Sequence, residues 1–290
     1  LHHKPSSLPI NGGTVNFIYT VSWVYRLRVC LVIKHSLAQT DMKYHANFKF
    51  AWLWWLLMCW GGFCQAQTLH MAADNWAPMT GQDLQQGGFS VDLARQVFHE
   101  LGYELTLEFM PWDQLMKSRD SGDYQVIPAV WYTPQRSEHL HFSQAYDNNK
   151  LVFISRKSDS FLYSGPRSLK GKTLGFVKSY AYPEHILQAE GIKIVYANDA
   201  KEALKMLASG RLHLTLGDYL VMKFEATRHV HPAHKLFYDT QHPLADVSLH
   251  MAVSRRLSNH DELVEGINRV LKIFKKDGRY QQLKKKHGLD

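Results

Sequence analysis

From residue 68 onward, apolar residues alternate between two kinds of spacing. The runs TLHMAAD and YELTLEF have the period of two that is typical of β-strands. GGFSVDLARQVFHELG has the spacing of an amphipathic helix, for which Ser90 is the predicted N-cap and Gly102 the predicted end. PWDQLMKSRDSG predicts a helix that begins at Pro111, and YQVIPAVWY predicts a third strand. This βαβαβ order predicts a parallel sheet with right-handed crossovers.

The same alternation returns in the second half of the chain. KTLGFVKS, IKIVYAN, RLHLTLGD and KLFYDT have strand patterns, and PEHILQAEG, DAKEALKMLASG and YLVMKFEATRH have helix patterns. Asp199 is a predicted N-cap, and Gly210 is the predicted end of that helix. The run NHDELVEGINRVLKIFKKDGRYQQLKKKHG predicts a terminal helix.

Two long strand-like runs, KLVFISRK and VSLHMAVSRR, bound the second α/β unit, and no Pro/Gly/Ser-rich linker separates the halves. We therefore expect an α/β protein of two lobes with a cleft between them. Each lobe is predicted to be a mainly parallel sheet flanked by helices, and two crossing strands join the lobes. The predicted boundaries are residues 67–154 plus 249–290 for the first lobe and 155–248 for the second.

Residues 42–66 have the pattern of a secretory signal peptide. Lys43 and Lys49 form a basic region, FAWLWWLLMCWGGF is an apolar core, and CQA ends the segment with small residues at the cleavage positions. The apolar run is shorter than the roughly 20 residues that a membrane-spanning helix needs. We therefore expect export to the periplasm. Residues 1–41 lie upstream of this signal, and we expect them to be an extension outside the fold.

Composition excludes several classes of protein. The net charge of +8 suggests nucleic acid, but six of the 34 basic residues and one of the 26 acidic residues fall in the first 66, which leaves +3 on the rest. So weak a charge does not predict nucleic-acid binding. All three cysteines precede residue 67. The exported chain is therefore expected to have no disulfide, thiol nucleophile or cysteine metal site.

Candidate binding residues collect where the predicted strands of the first half end. Arg136 follows the third strand closely, and strand ends are where ligands bind in open α/β sheets. An arginine there can form two parallel hydrogen bonds with a carboxylate. After residue 66 the chain has only three tryptophans, Trp76, Trp112 and Trp131, and all three fall at or just past strand ends. This clustering predicts an aromatic cage, although packing at the rim of the sheet is the alternative.

The ordered set of motifs resembles the bacterial extracellular solute-binding proteins of family 3, the periplasmic receptors of polar amino-acid ABC transporters. The resemblance rests on DNWAP, GGFSVDLARQVFHELG, PWDQLMKSRDSGDYQ, YTPQRSEHLHFSQAY, SLKGKTLGFVKS, ALKMLASGRLHLTLGDY and KKDGRYQQLKKKHG, and it covers residues 68–290. It implies a two-lobe binding protein that closes on a small ligand. The implied ligand is an amino acid or a related small carboxylate, and the implied partner is a membrane ABC permease.

The resemblance also implies roles for individual residues. Arg136 matches the arginine that binds the α-carboxylate of the ligand, and Asp218 matches the acid that binds the α-ammonium. Trp76 matches the aromatic of the first turn, and Trp112 matches the bulky residue that packs over the ligand.

This chain departs from the family pattern at two places. Ala129 and Trp131 stand where amino-acid binders have small polar residues. The turn KSYAYP places Ser179, Tyr180 and Ala181 where the family has a Gly-Ser/Thr turn, and Tyr180 or Lys178 is a candidate substitute for the missing contacts. The predicted pocket is therefore more aromatic than a typical polar amino-acid site.

Other functions receive less support. The histidines of RHVHPAH and of HLH (His139–His141) lack the setting of a metal site, so no metal and no cofactor are expected. No GxSxG, HExxH or phosphate-loop motif is present, and we expect no catalytic residue. The alternatives that remain are an enzyme like cyclohexadienyl dehydratase on the same fold and a receptor that serves a separate sensor protein. A monomer without nucleic-acid partners is expected.

Overall fold

The computed structural model describes residues 67–119 and 121–289. The predicted extension (1–41) and the predicted signal segment (42–66) therefore lie outside the described residues. Within the described part, no helix has both the length and the apolar character needed to cross a membrane.

Ten strands and eight α-helices make up the described part of the chain, in an order that alternates as predicted. The strands are β1 (Gln67–Ala73), β2 (Tyr103–Phe109), β3 (Val126–Trp131), β4 (Leu140–Phe142), β5 (Asp147–Arg156), β6 (Thr173–Val177), β7 (Lys193–Ala197), β8 (Leu214–Asp218), β9 (Leu236–Tyr238) and β10 (Ala245–Ser254). The helices are α1 (Phe89–Glu100), α2 (Trp112–Ser118), α3 (Pro134–Ser137), α4 (Glu184–Leu187), α5 (Ala200–Ala208), α6 (Tyr219–His229), α7 (His260–Asp277) and α8 (Arg279–Lys286).

The strands follow the order β2-β1-β3-β10-β5-β8-β6-β7, with β4 paired to β10 and β9 paired to β5. The pairs β1–β2, β1–β3, β6–β7 and β6–β8 are parallel. Each lobe therefore has the predicted parallel sheet.

Strands β5 and β10 run from one lobe into the other. The first half of β5 pairs with β10, and its second half, from Leu151 to Ser155, pairs with β8. The first half of β10 pairs with β5, and residues from Leu249 onward pair with β3. All three pairings are antiparallel, and that of β5 with β10 shows that the two strands cross between the lobes in opposite directions. The predicted lobe boundaries at 154/155 and 248/249 fall within these strands.

Local structure follows the sequence signals in most helices. The Asp199 side chain accepts a hydrogen bond from the backbone N–H of Glu202 and caps α5 as predicted. Gly102 and Gly210, which follow α1 and α5, have φ values of +81°, a left-handed conformation that glycine adopts without a steric penalty.

Two local predictions are wrong, and a third is confirmed only in part. Ser90 does not cap α1, because the N-cap is Gly88, with φ of +96°, and Ser90 is buried inside the helix. The terminal helix is interrupted at Gly278, whose left-handed backbone (φ +89°) ends α7 and begins α8. The segment PEHILQAEG forms only the short helix α4.

Candidate functional site

A cavity lies where strands β1 and β3 end and faces the loop that follows β6. Residues of both lobes line it, and six of the nine residues predicted to bind ligand are among them. The lining consists of Asp74, Trp76, Trp112, Ala129, Val130, Trp131, Arg136, Tyr180, Ala181 and Leu249.

Four aromatic side chains form one connected wall of this cavity, through edge-to-face contacts. The ring centroids of Trp76 and Trp131 are 5.9 Å apart, and Tyr180 lies 6.1 Å from both Trp131 and Trp112. Trp76 is held by a tight turn in which its backbone exchanges hydrogen bonds with Thr80. Burial and the charge of Asp74 raise the pKa of Tyr180 well above its usual range, so its hydroxyl keeps its proton. The predicted aromatic cage is therefore present as a geometric feature.

Arg136 is buried in this wall, although its position in the sequence suggested a loop. It is the third residue of the short helix α3. The Thr133 side chain caps this helix by accepting a hydrogen bond from the backbone N–H of Arg136. Two contacts hold its side chain in place. Nη1 of Arg136 donates a hydrogen bond to the carbonyl of Trp131 at 2.8 Å, and Cζ of Arg136 lies 5.0 Å from the centroid of the Trp112 ring. Burial lowers the pKa of Arg136 to about 10, and the guanidinium still carries its charge at neutral pH.

The carbonyl of Ser179 joins the two lobes across the cavity. It accepts hydrogen bonds from Arg136 Nη2 at 3.1 Å and from Trp112 Nε1 at 3.0 Å. Ser179 has a left-handed backbone with φ of +61°, which is uncommon for a residue other than glycine. The sequence suggested a role for its hydroxyl, but the contact that the structure provides is made by its backbone.

Asp74 is the acidic member of the cavity wall, and the sequence analysis missed it. It directly follows β1 and is 9% exposed. Burial raises its pKa to about 7, and a hydrogen bond from Thr80 and the charge of Arg136 oppose that rise only partly. The signal was available, because an acid just past a strand end meets the same criterion that identified Arg136.

Asp218 lies outside the cavity lining, at the end of β8. One of its oxygens, Oδ1, accepts the backbone N–H of Val221 at 3.0 Å and caps α6, while Oδ2 is buried. Burial raises the pKa of Asp218 to about 6. Asn149, also missed from sequence, connects this acid with the cavity: its Oδ1 accepts from Trp131 Nε1 at 2.8 Å, and its side chain favours the ionised form of Asp218.

The other predicted residues lie apart from the cavity or add little chemistry to it. Lys178 is exposed and donates to Asn198 at 2.8 Å, outside the cavity lining. Ala129 lines the wall with a methyl group only. A wider groove, which shares Asp74, Trp112 and Tyr180 with the cavity, opens beyond it.

Comparison with known proteins identifies the fold and the family. The model for bacterial extracellular solute-binding proteins, family 3, matches residues 69–290. The ABC transporter arginine-binding protein 1 of Escherichia coli is 28% identical over 200 residues, which is 68% of this chain and 79% of that protein. The L-cystine-binding protein TcyA of Bacillus subtilis is 24% identical over 203 residues, which is 69% of this chain and 71% of that protein.

Among solved structures, a variant of the arginine-binding protein of T. maritima is 25% identical with a TM-score of 0.66. The alignment covers 77% of this chain and 96% of the chain in that structure. An ancestral amino acid-binding protein, described as a precursor of cyclohexadienyl dehydratase, is 22% identical with a TM-score of 0.63, over 76% of this chain and 94% of that one. At that identity it shows the fold alone.

Proposed function

The chain belongs to the bacterial extracellular solute-binding proteins of family 3, and from this premise we propose that it captures an amino acid or a related small carboxylate in the cavity at Arg136. We also propose that the protein is exported to the periplasm and there delivers its ligand to an ABC-type permease. The names of its relatives, which bind arginine and cystine, support an amino-acid ligand.

The observation that carries this proposal is the state of the Arg136 guanidinium. It is 7% exposed, and the described residues place no carboxylate within 4.0 Å of it. A guanidinium has five N–H donors, and two of them are used by the carbonyls of Trp131 and Ser179. A buried charge without a partner is costly. A ligand carboxylate would offset that cost and accept two of the three remaining donors side by side.

The amino end of such a ligand has two candidate partners. Asp74 lines the cavity itself, and an ammonium group would favour its ionised form. Asp218 is a buried acid at the end of β8, and an ammonium group that reached it would favour its ionised form. The aromatic wall favours a ligand with an apolar, aromatic or cationic side chain, since cations and rings both bind to the faces of aromatic rings.

Closure of the two lobes is the proposed mechanism of capture. Both hydrogen bonds to the Ser179 carbonyl come from residues of the first lobe, so they form only when the lobes meet. A ligand that contacts both lobes binds the closed state more tightly and shifts the population toward it.

Asp74 also favours a second candidate function, an enzyme that removes a hydroxyl group from its substrate. A carboxyl group with a pKa of about 7 is protonated in part at neutral pH and can donate a proton to a departing hydroxyl. Incubation with prephenate or arogenate, with the product measured by absorbance, tests this candidate. Turnover that Asp74→Asn abolishes would replace the binding proposal.

A thermal-shift screen of the full chain against amino acids, small carboxylates, amines and peptides tests the main proposal. A ligand present at 100 times its Kd stabilises the folded state by about 2.7 kcal/mol, which corresponds to a rise in Tm of roughly 5–10 °C for a domain of this size. We expect that rise with at least one amino acid. A flat response to every amino acid and carboxylate would refute the proposal.

A further inference from the structure

Three potential metal ligands meet outside the cavity lining, at the junction of β4 and α7. His141 lies in β4, and His260 and Asp261 are the first two residues of α7. The Nδ1 atoms of the two histidines are 3.1 Å apart, and Asp261 Oδ1 lies 2.9 Å from His141 Nδ1 and 3.0 Å from His260 Nδ1. We propose that His141, His260 and Asp261 form a binding site for a divalent transition-metal ion such as Zn²⁺.

The topology explains how residues 119 positions apart come together. Strand β4 pairs antiparallel with the end of β10, with His141 opposite Val253. The chain leaves β10 at Ser254, turns, and begins α7 at His260. The first turn of α7 therefore returns beside β4, and the two histidine rings lie with their centroids 5.2 Å apart.

The distances suit a shared ion. Three atoms separated by 2.9, 3.0 and 3.1 Å form a nearly equilateral triangle. A point about 1.2 Å above its plane lies about 2.1 Å from all three atoms, which is the usual distance from Zn²⁺ to imidazole nitrogen and carboxylate oxygen. The angles at that point are about 90°, as on one face of an octahedron, which is the arrangement of two-histidine, one-carboxylate metal sites.

Hydrogen bonding alone accounts less well for this triangle. A neutral imidazole has at most one proton on Nδ1, and an ionised carboxylate has none. Each N–H can point well at one acceptor only, because hydrogen bonds weaken steeply away from linearity. At most two of the three close contacts can therefore be good hydrogen bonds, whereas one ion satisfies all three atoms together.

The surroundings permit entry of an ion and set its affinity. The side chains of His141 and His260 are 28% and 19% exposed, and that of Asp261 is 77% exposed, so water can reach the remaining coordination positions. The ligand set carries one negative charge, and Arg255 acts on His141 with a positive one. The charge of Arg255 opposes a dication and should weaken the site.

Calorimetric titration of the full chain with ZnCl₂ tests the proposal. His260→Gln removes the imidazole nitrogen ligand, Asp261→Asn removes the negative charge of the oxygen ligand, and His234→Gln removes an exposed histidine elsewhere as the matched control. We expect the parent and the control to bind one more equivalent of zinc than the two ligand variants, or to bind it at least roughly tenfold more tightly. Zinc should also raise the Tm of the parent and the control more than that of the variants.

The exposed position of Asp261 keeps the test decisive, because its substitution removes no packing and leaves the fold intact, as circular dichroism can verify. Equal zinc stoichiometry and affinity in the parent, Asp261→Asn and the control would overturn the proposal. The outcome is independent of the ligand screen, because the cavity lining contains none of these three residues.

Discussion

Substitution of Arg136 by lysine should weaken ligand binding although it keeps the positive charge. The guanidinium donates to the carbonyls of Trp131 and Ser179 and keeps three N–H groups for a ligand, whereas a lysine ammonium has three donors in all and no planar fork. The variant should lose at least one charge-assisted hydrogen bond to the ligand. Such a bond contributes about 1.5–3 kcal/mol, which corresponds to a loss of roughly 10- to 150-fold in Kd.

Truncation to Arg136→Ala should have a larger effect, because it leaves a desolvated ligand carboxylate without a partner. That loss costs about 2–5 kcal/mol, or roughly 30- to 5000-fold in Kd. It also removes the donor to the Trp131 carbonyl, a buried hydrogen bond worth about 1.5–3 kcal/mol of unfolding free energy. The stability of this variant should therefore fall by less than this amount, because removal of the guanidinium also relieves the cost of a buried charge without a partner.

Calorimetric titration with the best amino acid from the screen measures these effects, and urea unfolding measures stability separately. Arg167→Lys, at an exposed arginine outside the cavity lining, is the matched control and should bind like the parent. If Arg136→Lys and Arg136→Ala both bind like the control, the carboxylate of the ligand does not contact Arg136 and the reasoning fails.

Three further predictions concern the other polar groups of the cleft. Asp218→Asn should weaken the binding of a ligand with an ammonium group but not that of a simple carboxylate, because it removes only the negative charge that binds a cation. Titration with an amino acid and its deaminated analogue measures this difference, and equal losses of affinity for both would contradict the prediction. Burial raises the pKa of Asp74 to about 7 in the folded state. The protein should therefore lose stability relative to Asp74→Asn as pH rises from about 4 to about 7. Urea unfolding of both proteins across this pH range measures the difference in stability, and a constant difference would argue against a buried carboxyl group. Trp112→Phe removes the Nε1–H that donates to the Ser179 carbonyl, and it should shift the ligand-free protein toward the open form. X-ray scattering should then give a larger radius of gyration. An unchanged radius would show that this hydrogen bond does not hold the lobes together.

The fold could be predicted from sequence because strand and helix periods alternate cleanly and two long apolar runs bound the second unit. The interruption at Gly278 was not predicted, since apolar residues keep helical spacing on both sides of a single glycine. Ser90 suits an N-cap by residue type, yet its burial beside Tyr146, whose hydroxyl donates to it at 2.8 Å, depends on tertiary packing.

The cleft was only partly predictable. Arg136 and the three tryptophans stand at strand ends, a position that sequence shows directly, and all four line the cavity. Asn149 lies inside a crossing strand, and only the pairing of β5 with β10 brings it to Trp131. The role of the Ser179 carbonyl depends on a left-handed backbone at a serine, for which sequence gives no signal.

The most direct test of the account compares an amino acid with its α-amide in calorimetric titrations of the parent protein. The amide keeps the side chain and the ammonium group and lacks only the negative charge proposed to bind Arg136. We predict that the amino acid from the screen binds and that its amide binds at least roughly tenfold more weakly, because a charge-assisted pair of hydrogen bonds is lost. Equal affinity for the amino acid and its amide would contradict the claim that this cleft captures a carboxylate.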